Sequence, residues 1–353
     1  MSAQTHESVR EYYGKVLGKS EDLQTSACCV AESPPAWLRA PLSHIHDDVM
    51  SRFYGCGFPL GEAVKGCTVL DLGCGTGRDV YLFSQLVGPE GFVHGVDMTR
   101  EQLDVAERTV GWHTERFGYA KANVAFHEGF IEELKGIEDG SVDLVVSNCV
   151  LNLSPRKDLV LKETYRVLKP GGEMLFSDVF ADRRLPAWMM EDPVLLGECL
   201  GGALYLGDFQ SLARATGFLD PRSLTRSPIA IQSDEVRAKT GAASFESITW
   251  RLFKLPELED RCEDYGQIAT YTTPIPEVGP LFRLDDHHVF ELGRPERVCG
   301  NTASMLADSR LGSHFTVTGD RSQHFGLFPC GDTLASTPMT AGSGATTLGG
   351  SCC

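Results

Sequence analysis

Cysteines are the residues of this sequence whose number and placement suggest chemistry. The chain contains 12 of them in 353 residues, and no Cys-x-x-Cys pair occurs, which argues against a structural zinc ribbon or finger. Four positions stand apart, and they are Cys28 (with Cys29 beside it), Cys56, Cys149 and Cys199. Thiolates are soft ligands, and three of them around one centre suit a thiophilic ion better than a hard one.

The surroundings of these four cysteines favour function over packing. Cys56 has a glycine on each side and the aromatic pair Phe53-Tyr54 before it, which predicts an exposed thiol beside two rings. Cys149 follows a mainly apolar run that ends at Val146, with Ser147-Asn148 between them. Cys199 lies in a segment with Gly197, Gly201 and Gly202, glycines that let backbone segments approach closely. The sequence shows no general base near these positions. Of the other cysteines, Cys67 and Cys74 are predicted to pack in the core, and we assign no role to Cys262, Cys299, Cys330 or the terminal Cys352-Cys353 pair.

The elements that must position these thiols are five short apolar strands alternating with amphipathic helices. This alternation predicts a doubly wound α/β sheet over residues 61–235, and ligands of such sheets bind at the carboxyl ends of the strands. A helix with Val167 in its apolar stripe is predicted to end at Pro170-Gly171-Gly172. The predicted strands are Thr68–Leu72, Phe92–Val96, Val124–Phe126, Val142–Ser147 and Met174–Asp178.

The remaining regions differ in texture. Residues 1–60 form a polar N-terminal extension, residues 236–330 a smaller α+β C-terminal domain, and residues 331–353 a Gly-rich tail predicted to be disordered. Two segments rich in His and Asp could suggest metal sites, but we predict structural roles for them. Segment 44–48 is predicted to place acids at a helix N-terminus, and segment 285–288 (Asp-Asp-His-His) is predicted to be a solvated turn.

The net charge and the first residues argue against several classes of protein. The formal net charge of −16 argues against a general nucleic-acid binder. No secretory leader and no apolar run long enough to span a bilayer occur in the sequence, so we expect no membrane partner. We therefore expect a cytoplasmic, monomeric protein whose thiols are reduced.

A glycine-rich loop follows the first strand. Gly73, Gly75 and Gly77 alternate with other residues, and no Lys-Ser/Thr pair follows, so the loop is not a phosphate-binding P-loop. Asp97 ends the second strand, where a carboxylate can accept hydrogen bonds from both hydroxyls of a ribose. The alternative is that the glycines only join two elements.

This loop resembles the glycine-rich motif of class I S-adenosylmethionine-dependent methyltransferases, and the segment 167–172 resembles a second motif of that superfamily. The likeness covers roughly residues 60–235. It implies a Rossmann-like fold with the glycines at the methionine end of the cofactor, Asp97 at the ribose and Met98 at the adenine. Ile131 would supply an apolar wall and Glu132 a polar partner, although both fit an ordinary helix start. The cofactor-binding residues implied are Asp71, Gly73, Gly75, Gly77, Asp97, Met98, Ile131, Glu132 and Asn148.

Longer matches make the chain similar to the arsenite methyltransferases. They lie at residues 23–25, 54–57, 84–88, 95–99, 145–153, 197–205 and 250–254. The resemblance implies four functional cysteines, Cys28, Cys56, Cys149 and Cys199, of which the last two would bind trivalent arsenic. Cys28 and Cys56 would join in binding or form a redox pair, and the register between Cys28 and Cys29 stays open. It also implies arsenite, or its glutathione conjugate, as substrate and thioredoxin or glutathione as reductant.

Two other functions stay open from the residues. One is a methyltransferase acting on a small organic acceptor, which would need a general base. The other is a thiol-rich protein that binds or senses soft metal ions, which would have no use for the cofactor loop and Asp97.

Overall fold

The computed structural model describes residues 7, 9, 10, 35–53, 55 and 57–330. The strands are β1 (Thr68–Leu72), β2 (Phe92–Asp97), β3 (Val124–Glu128), β4 (Val142–Asn148), β5 (Leu168–Ala181), β6 (Leu204–Tyr205), β7 (Arg222–Pro228), β8 (Phe245–Phe253), β9 (Ile268–Tyr271), β10 (Leu281–Arg283), β11 (Val289–Glu291), β12 (Pro295–Arg297) and β13 (Phe315–Thr318). The α-helices are α1 (Arg39–Leu42), α2 (Asp47–Met50), α3 (Arg78–Val87), α4 (Arg100–Arg108), α5 (Val110–Arg116), α6 (Lys157–Val167), α7 (Pro193–Gly197), α8 (Leu206–Thr216), α9 (Asp234–Thr240) and α10 (Gly300–Ala307).

A twisted sheet with the order β3-β2-β1-β4-β5-β8-β7 organises the molecule. Strands β1 to β5 run parallel, so that Leu70 lies between His94 and Val145. Their apolar residues build one core on each face of the sheet, as parallel strands covered on both sides require. The structure confirms the predicted doubly wound fold and all five predicted strands.

The sheet extends further than the sequence suggested. β8 runs antiparallel along β5, and β7 pairs with the outer edge of β8, so the sheet continues past residue 235. Helix α6 does end before Pro170, but β5 begins at Leu168 rather than Met174. The reason is that Gly171 N–H donates to the Lys254 carbonyl and Lys254 N–H donates to that of Gly172, which lengthens the ladder.

Residues 254–330 add a separate core. The antiparallel sheet β12-β9-β13, the hairpin β10-β11 and helix α10 enclose a cluster that includes Phe282, Phe290 and Phe315. In the part of the chain that the structure describes, we find no helix long and apolar enough to cross a bilayer.

The two polar segments behave differently. Helix α2 begins at Asp47 with His46 as its N-cap, as predicted. The expectation of a solvated turn at 285–288 is wrong for its first residue: Asp285 is buried and its Oδ2 accepts from Arg222 Nη1 at 2.9 Å. A sequence pattern could not reveal this, because Arg222 is distant along the chain.

Candidate active site

The glycine-rich loop between β1 and α3 is shaped around Asp97. Gly73 and Gly75 have φ angles of 69° and 53°, in the left-handed region that favours glycine. Gly75 N–H donates to Asp97 Oδ2 at 2.9 Å, and Thr99 N–H donates to Oδ1 at 2.8 Å. Burial raises the pKa of Asp97, and these backbone hydrogen bonds act in the opposite direction. A Cβ on Gly73 would lie 2.5 Å from Val150, so this position has no room for a side chain.

An open cleft of about 980 Å³ lies beside the loop, at the carboxyl ends of the strands. It brings together eight of the nine cofactor residues implied by the sequence and one of the two functional cysteines that lie in the described part of the chain. These residues are Asp71, Gly73, Gly75, Asp97, Met98, Ile131, Glu132, Asn148 and Cys149. Gly77 caps α3 instead, where a Cβ would lie 2.9 Å from the Phe126 ring.

The sequence reasoning missed a charged group on one wall of the cleft. The guanidinium carbon of Arg78 lies 3.1 Å from the centre of the Phe53 ring, and Arg78 pairs with Asp79 at 2.6 Å. Asp71 is buried beside them: burial raises its pKa well above the usual value, the charge of Asp79 adds to this, and Arg78 opposes it. The available signal was the Arg-Asp pair directly after the third glycine.

Asn148 holds Gly57 against the end of β4. Its Nδ2 donates to the Gly57 carbonyl at 2.8 Å, and its Oδ1 accepts from Gly57 N–H at 3.2 Å. A Cβ on Gly55 would lie 2.3 Å from the Phe53 ring, so both glycines allow close packing. The predicted site residues Cys28 and Cys56, together with Cys29 and Tyr54, lie outside the described residues.

Cys149 and Cys199 meet at the bottom of the cleft. The Cys199 thiol donates to the Cys149 carbonyl at 3.2 Å, and both side chains are buried. Cys149 lines the cleft, whereas Cys199 lies behind it. Their φ angles are 58° and 61°, and within the described ranges Ala63 is the one other non-glycine residue with positive φ. Strained backbone of this kind concentrates at functional sites. Cys149 is disulfide-bonded, so its sulfur must be reduced before it can bind an ion.

An acid lies beside the two cysteines. A carboxylate oxygen of Asp178 and the Sγ atoms of Cys149 and Cys199 all lie within 4.8 Å of one another. Burial raises the pKa of Asp178 to about 7, and hydrogen bonds from Val179 N–H and Asn152 N–H counteract part of that increase. The expectation that no base lies near these thiols is therefore wrong. The available signal was that Asp178 is the last residue of the fifth predicted strand, at the edge of the sheet where ligands are expected.

Close backbone packing holds Cys199 in place. Asn152 Nδ2 donates to the Val179 carbonyl at 2.6 Å and to the Cys199 carbonyl at 3.5 Å. A Cβ on Gly202 would lie 1.9 Å from the Asn152 carbonyl oxygen, which explains the glycine three residues after Cys199. Buried Lys157 donates to the Asn152 and Ser154 carbonyls; burial lowers its pKa to about 8, and the charge of Asp178 opposes that decrease.

Comparisons with known proteins agree with this geometry. A family model described as a methyltransferase domain matches residues 63–239. An arsenite methyltransferase of Aquipseudomonas alcaligenes is 55% identical over 351 residues, covering 99% of this chain and 100% of its own. The human arsenite methyltransferase is 42% identical over 320 residues, covering 89% and 84%. The crystal structure of CrArsM, an arsenic(III) S-adenosylmethionine methyltransferase from Chlamydomonas reinhardtii, has 52% identity and a TM-score of 0.81, covering 84% of this chain and 100% of that one.

Proposed function

This chain belongs to the arsenite methyltransferase family, and on that premise we propose that it methylates trivalent arsenic held by Cys149 and Cys199. The observation that carries the proposal is the position of Cys149. Its side chain lines the same cleft as Gly75 and Asp97, and Cys199 lies directly behind it. A thiophilic ion bound by these sulfurs would therefore lie beside the group that donates the methyl.

The cleft fits S-adenosylmethionine. Gly75 has left-handed backbone, and among the described residues no atom beyond its chain neighbours lies within 4 Å of the position its Cβ would take, so a ligand can approach the loop closely there. Asp97, fixed by two backbone donors, would accept hydrogen bonds from the ribose, and Met98 and Ile131 would flank the adenine. Asp71, Glu132 and Asn148 complete the polar lining of the cleft. The bound cofactor would supply a methyl group on a positively charged sulfur.

Replacing Asp97 is expected to weaken cofactor binding. Asp97→Ala removes an acceptor used by the cofactor loop, and hydrogen bonds to charged groups contribute about 1.5–3 kcal/mol, or roughly 10- to 100-fold in affinity. Calorimetric titration with S-adenosylmethionine would measure this, with the exposed carboxyl Asp104 on α4 as the control, replaced as Asp104→Ala. Equal affinities of a folded Asp97→Ala variant and the wild type would contradict the assignment.

The thiols act first as ligands. Arsenite carries three hydroxyls on trivalent arsenic. Each thiol that replaces a hydroxyl forms an S–As bond, and its proton leaves with that hydroxyl as a water molecule. Asp178, with a pKa of about 7 beside both sulfurs, is placed to accept such a proton transiently. Bound by thiolates, the arsenic keeps a lone pair, and the protein needs only to hold it about 3–3.5 Å from the methyl carbon.

The redox step follows from the electron count. Transfer of the methyl as a cation uses the arsenic lone pair and raises arsenic from the trivalent to the pentavalent state. Two thiolates that form a disulfide supply the two electrons that return it to the trivalent state. Cys28 and Cys56 are our candidates for this couple, with thioredoxin or glutathione reducing the disulfide. The disulfide at Cys149 means that this residue also needs a reductant before it can bind arsenite.

Asp178 gives the protein a distinctive dependence of stability on pH. Its pKa is about 7 in the folded chain and about 3.9 in an unfolded chain. The folded state therefore retains a proton that the unfolded state has lost, and stability falls as pH rises from about 4 to about 7. Relative to Asp178→Asn, the wild type should lose roughly 2–3 kcal/mol of unfolding free energy between pH 5 and pH 8. Urea unfolding of both reduced proteins across that range measures the difference, and parallel pH profiles would contradict the buried acid.

Product analysis tests the proposed function. The purified chain, S-adenosylmethionine, a thiol reductant and either arsenite or monomethylarsenite should yield methylated arsenicals, with one S-adenosylhomocysteine formed for each methyl group transferred to arsenic. Chromatography and mass spectrometry measure both products. The absence of methylated arsenic from protein that binds the cofactor would overturn the proposal. Turnover of an organic acceptor that is insensitive to replacement of Cys149 would favour the alternative methyltransferase.

A further inference from the structure

Three cysteines without an assigned role converge in the C-terminal part of the chain. The Sγ atoms of Cys262, Cys299 and Cys330 lie within 4.8 Å of one another, and we refer to these three residues as the C-terminal thiol cluster. Cys299 is buried and the other two are half-buried. Backbone hydrogen bonds hold the cluster together, since Phe328 N–H donates to the Cys262 carbonyl at 2.8 Å and Gly300 N–H to that of Glu263 at 2.9 Å.

The surroundings of Cys299 favour a thiolate. Its Sγ accepts from Thr302 N–H at 3.4 Å at the start of α10, and Arg222 Nη2 lies 3.8 Å away. Arg222 is itself balanced by ion pairs with Asp220 at 2.7 Å and Asp285 at 2.9 Å. The cluster therefore does not need to supply a counter-charge for this arginine.

The donor set discriminates between soft ions. Among the residues that the structure describes, no fourth histidine, cysteine or acid joins the three sulfurs. Structural zinc sites take four protein ligands in a tetrahedron. Trivalent arsenic forms three bonds and keeps a lone pair in the fourth direction, and its complex with three thiolates is neutral. Three soft sulfur donors, beside an arginine that already has its own acids, therefore suit trivalent arsenic better than zinc.

We propose that the C-terminal thiol cluster binds one trivalent arsenic through Cys262, Cys299 and Cys330, at a second site apart from the methylation site. With arsenite, three As–O bonds break and three S–As bonds form, the three thiol protons leave with the hydroxyls as water, and no oxidation occurs. None of the three cysteines lines the cofactor cleft, so arsenic bound here is not placed for methyl transfer. The choice of arsenic rests on the proposed function, whereas the site itself does not.

Binding at this site would link three separate segments. Cys262 lies in the loop before β9, Cys299 caps α10, and Cys330 ends the described chain. A ligand that binds all three in the folded state alone stabilises that state by mass action. Arsenite should therefore raise the unfolding temperature even when the methylation site is disabled.

Counting bound arsenic in the full-length chain tests the proposal. The reduced protein is equilibrated with arsenite, and arsenic per chain is measured by inductively coupled plasma mass spectrometry. Cys262→Ser and, independently, Cys330→Ser should each bind one arsenic fewer than the wild type, and either variant suffices if the other does not fold. The control is Cys67→Ser, which removes another half-buried thiol and should leave the count unchanged. In a Cys149→Ser/Cys199→Ser background, the increase in unfolding temperature with arsenite should persist and should disappear when Cys262→Ser is added.

Three outcomes would overturn the second site: an unchanged arsenic count in both folded variants, one equivalent of zinc in the purified wild type that Cys262→Ser removes, or loss of free thiols from the cluster under the reducing conditions used. Methylation measured on the same samples separates the two proposals. Cys262→Ser should keep its rate within about twofold of the wild type, because its thiol lies outside the cleft. Loss of one arsenic with no methylation by the wild type would reject the proposed function and retain the second site.

Discussion

Serine in place of Cys149 or Cys199 is expected to abolish methylation of arsenite, lowering kcat/KM by at least about 1000-fold, which corresponds to roughly 4 kcal/mol of transition-state stabilisation. Each substitution replaces a soft sulfur ligand by a hydroxyl that binds thiophilic ions poorly. Because the two side chains meet at one point, loss of either leaves the arsenic with too few protein ligands. Initial rates with arsenite, followed by mass spectrometry, measure the effect.

The controls separate ligand loss from misfolding. Both variants should bind S-adenosylmethionine as the wild type does, because the loop and Asp97 that would contact the cofactor are unchanged. Cys67→Ser removes a half-buried thiol directly before β1, at the amino end of that strand and outside the cleft lining, and should keep full activity. Mild and equal effects of Cys149→Ser and Cys199→Ser would show that arsenic is held elsewhere.

The parts of the site that are local in sequence could be predicted. Gly73 and Gly75 follow a strand, and their left-handed backbone is a property of the residue type. Asp97 ends the next strand. Because parallel strands buried on both faces appear in a sequence as apolar runs, the glycines and Asp97 could be placed at the same edge of the sheet. Cys149 follows the fourth strand and lines the same cleft for the same reason.

Other features depend on distances that a sequence does not encode locally. Asp178 has the pattern of any strand residue, and its raised pKa arises from burial beside Cys149 and Cys199. The C-terminal thiol cluster joins residues separated by several elements, without the short spacing by which cysteine sites are recognised. Strand β8 is antiparallel to its neighbour, which an alternation of strands and helices does not predict.

Glu173→Gln is expected to lower the free energy of unfolding by about 3–5 kcal/mol. Glu173 lies fully buried on β5, its Oε1 is 2.7 Å from Arg251 Nε, and it also pairs with Arg310 from the C-terminal part. Arg251 is fully buried as well and has Glu62 as a second acid at 2.6 Å. Removal of the Glu173 charge leaves buried Arg251 with Glu62 as its acid, and Arg310 loses the one acid with which it pairs among the described residues. An uncompensated buried charge is costly. The pair with Arg310 connects the methyltransferase sheet to residues 254–330, so the two parts should lose stability together.

Urea unfolding of the reduced protein measures this change, and Glu246→Gln is the matched control. Glu246 is a glutamate on β8, also paired with an arginine, Arg226, at 2.6 Å, but both side chains are about 40% exposed (43% and 40%). Exposed pairs of this kind contribute about 0–1 kcal/mol, because water and salt screen them. Burial is therefore the main difference between the two substitutions. If Glu173→Gln destabilises the protein no more than Glu246→Gln, the buried ion pairs do not join the C-terminal part to the sheet. The apolar core of residues 254–330 must then hold the C-terminal part against the sheet by itself.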